Sequence, residues 1–108
     1  MQIKTLDEYQ QQAEKFALFK SPDYPYYGLA EETGEFMGKL AKAHRGDKEI
    51  DAAELDKALH KELGDVMWMV SSICSLRGWS LQGLCEGNIA KLTDRQKRNV
   101  IQGEGDER

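Results

Sequence analysis

Proline, cysteine and histidine are all scarce in this chain, two of each, and each scarcity closes a class of interpretation. The prolines, Pro22 and Pro25, share one short loop, Ser21-Pro22-Asp23-Tyr24-Pro25, which leaves the rest of the chain compatible with helix. Cys74 and Cys85 lie in apolar, helical-looking sequence and form no zinc-ligand spacing with His44 and His60. Two reduced thiols buried as small hydrophobes are expected, not a disulfide. No apolar run approaches the roughly 20 residues that cross a bilayer. Met1-Gln2-Ile3-Lys4-Thr5 lacks the pattern of a secretory signal, so a cytoplasmic location without a membrane partner is expected. Basic residues are outnumbered, 15 against 19 acidic, for a net charge of -4, which argues against binding a nucleic-acid polymer. What remains is 108 residues, 40% apolar and 31% charged, the make-up of one soluble domain with a single modest core.

The apolar pattern is helical throughout. Thr5 and Glu8 form a capping-box signature, and Leu6, Tyr9, Ala13, Phe16 and Ala17 follow at helical spacing, which predicts a helix from Leu6 to Phe19. A second helix is expected from Tyr27 to Ala43 on the stripe Leu29, Thr33, Phe36 and Leu40, ended by His44-Arg45-Gly46-Asp47. After the polar stretch Asp47 to Asp51, the longest helix is expected from Ala52 to Arg77, closed by Gly78. Ser80 caps a fourth, which frays near Arg98. The expected fold is therefore all-α, a bundle of about four helices in one domain over residues 1–98, with a short polar tail over 99–108. Leu63, Met67, Trp68 and Cys74 widen the apolar stripe of the third helix beyond one partner, so an oligomer is expected, a homodimer or a dimer of dimers.

Nineteen acidic residues are mostly unremarkable on helices, so the informative ones are those inside an apolar stripe. At about 100° per residue, Leu55, Leu59, Val66, Met69, Ile73 and also Asp65 all fall within about 60° of Glu62. Two carboxylates thus sit one turn apart where solvated charge does not belong, and they need a cation, a proton or dense hydrogen bonding. The second helix carries Glu31-Glu32-Thr33-Gly34-Glu35, in which Glu32 and Glu35 project over the same turn. Gly34, costly in mid-helix, hints at close approach of another helix or a ligand. Two facing helices with two carboxylates each make an all-oxygen site suited to Mg2+ or Mn2+. No Glu-x-x-His pair is present to indicate di-iron, and carboxylate-held magnesium points to phosphate chemistry. On the fourth helix Asn88 and Lys91 repeat the three-residue spacing, with Arg95 one turn on, and they are candidates to meet the metal and phosphates. Lys39 is a further candidate for phosphate. Tyr24, Tyr26, Tyr27 and Trp68 lie close enough in sequence to the acids to stack on a base.

Glu32-x-x-Glu35, then Glu62-Leu63-Gly64-Asp65, then Asn88-x-x-Lys91 together resemble the MazG family of all-α nucleoside triphosphate pyrophosphohydrolases. The likeness covers essentially the whole chain; Gly103-Glu104-Gly105-Asp106-Glu107-Arg108 is similar to the Gly-x-Gly-Asp-x-Arg ending of short members in phages and bacteria. Thr33 stands where alanine is frequent. The resemblance implies hydrolysis of a nucleoside triphosphate between the α- and β-phosphates to monophosphate and pyrophosphate, in nucleotide-pool housecleaning. It implies Mg2+ on Glu32, Glu35, Glu62 and Asp65, with Glu32 or Glu35 activating water and Lys91 neutralising phosphate charge. Glu31, Lys39, Trp68, Asn88 and Arg95 would then stand at the substrate. Two other readings stay open: a phosphoribosyl-ATP pyrophosphohydrolase, and a non-catalytic helical dimer that binds or regulates, its acids held in ion pairs.

Overall fold

The computed structural model of the chain describes residues 2–46 and 49–108. It is all-α as expected, with α1 Leu6–Glu14, α2 Tyr24–Arg45, α3 Ala52–Arg77 and α4 Leu81–Lys97. No helix among the described residues is long and apolar enough to cross a membrane. The expected polar stretch from Asp47 begins outside the described residues, since Asp47 and Lys48 are not among them.

Local chemistry sets the helix ends. The Thr5 hydroxyl accepts from the Glu8 N–H at 3.0 Å, while the Glu8 carboxylate reaches back to the N–H of Lys4 at 2.8 Å, one residue earlier than a capping box prescribes. Asp51 and Ser80 cap α3 and α4 by accepting from Glu54 N–H and Gly83 N–H. Two expected boundaries are corrected. α1 stops at Glu14 rather than Phe19, because the chain there tightens into turns, with Phe16 N–H donating to Ala13 and Ala17 N–H to Glu14. α2 begins at Tyr24 rather than Tyr27, taking Pro25 into its first turn, where a missing N–H costs nothing.

α2 and α3 pair along their lengths as a helical hairpin, α1 lies against α3, and α4 packs chiefly on α1. The hairpin packs tightly at Gly28, where a Cβ would lie 2.5 Å from Met69 Sδ on α3 and 3.0 Å from the ring of Tyr24, one turn earlier on α2. Met69, Cys74 and Leu81 are fully buried. Cys74 thus belongs to this chain's own core and is no part of an uncovered face, as its place in the widened stripe had suggested.

α4 is held to the body by polar contacts at its start. The Gln10 amide donates to Ser75 Oγ and to the Trp79 carbonyl and accepts from the N–H of Leu81 at 2.8 Å. Ser80 Oγ donates to Asp7. One α1 side chain therefore ties together the end of α3, the turn and the first residue of α4. The radius of gyration is 16.9 Å, against about 13 Å for a closed globule of this length, so the helices leave open flanks. Leu63 and Met67 on α3, and Leu84, Ile89 and Leu92 on α4, are all exposed.

Replacing Gln10 by leucine keeps the volume but strands the Leu81 N–H. The expected outcome is a loss of about 1–3 kcal/mol, the cost of a buried donor without a partner, read as a lower midpoint in urea denaturation followed by circular dichroism.

Candidate active site

The hairpin delivers the acids. Glu32 from α2 and Glu62 and Asp65 from α3 bring their carboxylate oxygens within 4.8 Å of one another; the first two are half-buried and Asp65 is exposed. Glu62 and Asp65 meet Glu32 because they share the α3 face that packs on α2, the face read from the stripe. Among the described residues no ion pair reaches any of the three, which removes the ion pairs that a purely structural role would need within this chain. The Glu32 carboxyl is pushed above its ordinary value by burial first, and then by the charges of Asp65, Glu31, Glu62 and Glu35. No cation enters that balance. Three hard oxygen donors crowded without a counter-charge fit a divalent ion such as Mg2+.

Glu35 is not one of the three; with Glu31 and Lys39 it borders a separate hollow of about 320 Å³ on α2. Glu31 accepts a hydrogen bond from the Tyr24 hydroxyl at 2.7 Å. A Cβ at Gly34 would meet nothing within 4 Å, so the close helix approach that this glycine suggested is absent from this chain, and the tight contact falls at Gly28 instead.

Tyr24 and Trp68 both pack on Phe19, with ring centroids 5.0 and 5.5 Å apart. Tyr26 and Tyr27 are exposed. Trp68 also borders a largely apolar hollow of about 570 Å³ that opens beside Asp65 and is walled on its other side by Tyr9 and Phe16. The Trp68 Nε1–H is buried there without a partner. Burial, then the Asp65 charge, raises the Tyr9 hydroxyl above its usual value, which places α1 against the acid cluster. Sequence reasoning missed Tyr9 and Phe16 as site residues, because an apolar stripe looks the same whether it fills a core or walls a cavity.

The α4 candidates stand apart from the acids in one chain. Asn88 and Lys91 border a hollow of about 540 Å³ along α4 itself. Lys91 pairs with Asp106 at 2.7 Å, and Arg95 is buried against the same aspartate.

The electrostatics give a directional expectation. A folded-state carboxyl raised above its unfolded value of 4.5 binds its proton more tightly when folded, so stability falls as pH rises through the interval above 4.5. Glu32→Gln removes this loss. In metal-free buffer the variant is expected to melt with the wild type below pH 4.5 and progressively above it as pH rises, measured as the difference between the two melting temperatures.

The MazG nucleotide pyrophosphohydrolase domain matches residues 21–100, a span that contains all three acids of the cluster. The Gene 37 protein of Mycobacterium phage L5 is 38% identical over 85 residues, covering 79% of this chain and 75% of that protein. No solved structure matches the chain. A family match over most of the sequence, resting on a hairpin that gathers the acids of α2 and α3, leads to one assignment: the chain belongs to the MazG nucleotide pyrophosphohydrolase family.

Proposed function

We propose that the chain is a Mg2+-dependent nucleoside triphosphate pyrophosphohydrolase, which uses water to cleave between the α- and β-phosphates and releases a monophosphate and pyrophosphate. The observation that carries the reading is the convergence of Glu32, Glu62 and Asp65 within 4.8 Å, with no ion pair to any of them among the described residues. These three are the residues to hold the ion. A divalent ion held there would supply the positive charge that offsets that of the phosphates. Glu35, one turn from Glu32 and outside the cluster, is then the carboxylate left to orient the attacking water and take its proton. The hollow beside Asp65 is of a size that takes a nucleoside, with Tyr9, Phe16 and Trp68 offering aromatic faces to a base. Lys91 offsets the charge of the departing pyrophosphate, Asn88 and Arg95 stand beside it on α4, and Glu31 and Lys39 border the substrate from α2.

The open flanks of α3 and α4 support a second element of the proposal. A homodimer, or a dimer of dimers, would cover Leu63, Met67, Leu84, Ile89 and Leu92, all exposed in the single chain. It would also let α4 of one copy approach the acids of the other. Sedimentation at micromolar concentration is expected to show at least a dimer, and a stable monomer would contradict this element.

The deciding experiment measures pyrophosphate release from each common ribo- and deoxyribonucleoside triphosphate, with and without Mg2+, together with phosphoribosyl-ATP. Release from one or more triphosphates, lost on chelation, is expected. Glu62→Gln and Asp65→Asn should each abolish it while leaving the helical circular dichroism intact. Wild-type turnover in either variant would sink the metal assignment, and release from none of the nucleotides would leave the chain a binding or regulatory protein.

A further inference from the structure

The eleven residues after α4, 98–108, form no regular element, yet they are tightly held. Arg95, the one charged side chain buried among the described residues, is 6% exposed. Its Nη2 donates to both the main-chain oxygen and Oδ1 of Asp106, at 2.7 and 2.8 Å. The Lys91 ammonium meets the same Oδ1 at 2.7 Å. Behind Asp106 the chain closes into a ring around Arg108, whose guanidinium donates to the main-chain oxygens of Val100, Gly105 and Ile101. Arg98 in turn donates to the main-chain oxygen of Arg108. The ring turns through Gly103 and Gly105 at φ of 140° and 81°, and a Cβ on Gly103 would sit 3.1 Å from the Arg108 side chain. Ordering a polar segment costs backbone entropy at every residue, so a tail held this way has a use for its order.

Charge and geometry show what the order achieves. Lys91 and Arg95, four apart on one helix, repel each other. Asp106 bridges them and leaves the trio with one net positive charge. Its carboxyl is held below the usual carboxylate range by hydrogen bonds from Lys91 and then Arg95, so it stays ionised at neutral pH. A free lysine has rotamer entropy to lose on gripping an anion; one already fixed loses less. An ammonium has three donors, and Asp106 takes one. Lys91 and Asn88 face the hollow along α4. A carboxylate that only masked the lysine would need to leave easily, whereas Asp106 is also anchored through its main-chain oxygen.

We propose that this C-terminal clasp is a positioning element for phosphate binding: Asp106, locked by the ring around Arg108, fixes the Lys91 ammonium at the rim of the hollow, ready for pyrophosphate or the phosphates that become it. The proposal rests on the reading of Lys91 as a phosphate contact.

Calorimetric binding of inorganic pyrophosphate in the presence of Mg2+, on the full chain, separates the two. Asp106→Asn and Arg108→Met are each expected to weaken binding about tenfold, as loss of an outer partner of a site group does, and Lys91→Met at least as much. Added to Lys91→Met, Asp106→Asn should weaken binding no further, because both act through one ammonium. Asp106→Glu should recover part of the loss. Melting temperatures confirm that each variant folds. Wild-type binding by Asp106→Asn while Lys91→Met has lost it overturns the clasp and leaves the lysine's role standing. Wild-type binding by Lys91→Met overturns both. A further loss in the double variant, or tighter binding by Asp106→Asn, overturns positioning in favour of a structural or a masking role.

Discussion

Carboxylate oxygens of three residues within 4.8 Å repel, and the rest of the molecule is arranged to hold them there. Burial adds to the repulsion at Glu32, since the charged form is penalised wherever water is withdrawn. Such an arrangement persists only if the helices that carry it cannot slide or part. The contact at Gly28 meets that need: with no side chain there, α2 comes down onto Met69 of α3, and a shift along the hairpin would open a void or force a clash. The register that packs Gly28 on Met69 is the register that sets Glu32 opposite Glu62 and Asp65. Packing and chemistry are thus one constraint expressed at two ends of the same interface.

The elements outside the hairpin have separate tasks. α1 lines the hollow beside Asp65 with Tyr9 and Phe16 and, on its other face, fastens α4 through Gln10 and Asp7. The loop before α2 sends Phe19 between Tyr24 and Trp68, stiffening the aromatic wall near the acids. A small chain with few fully buried side chains has little apolar area to stabilise it, so directional hydrogen bonds carry more of the tertiary definition than in a larger domain.

Much of this was legible in the sequence. The helical period, the caps at Thr5 and Ser80 and the single proline loop indicated four helices, and the bounds of α3 were read from Ala52 to Arg77 as they stand. Glu62 and Asp65 stood out because an apolar stripe is a strong background against which a charge is visible. Glu35 was harder: Glu62 and Asp65 have the same three-residue step as Glu32 and Glu35 yet both belong to the cluster, so what decides is how each helix is rotated toward its partner and not the spacing. Gly34 marks a place where a helix or a ligand could approach, and within this chain no helix does. Of the clasp, the sequence shows the Gly-x-Gly-Asp-x-Arg pattern of Gly103 to Arg108 but not what it holds. Its bonds run from side chains to main-chain oxygens, and those partners have no signature in the order of residues.

The matched span, 21–100, retains every acid of the cluster and excludes both α1 and the greater part of the clasp. The first fastens α4 to the body through Gln10 and Asp7 at its beginning, and the second ties its later turns to the tail through Asp106. Similarity of sequence therefore outlines the chemistry of the chain and not its mechanics. A version trimmed to the matched span would keep every group named here as a metal or phosphate ligand, with its most basic helix hinged at the turn after α3 and free to swing. Relatives that differ at their two ends could keep the same reactive residues and still orient that helix differently, so that divergence at the margins changes what a shared centre is able to grip.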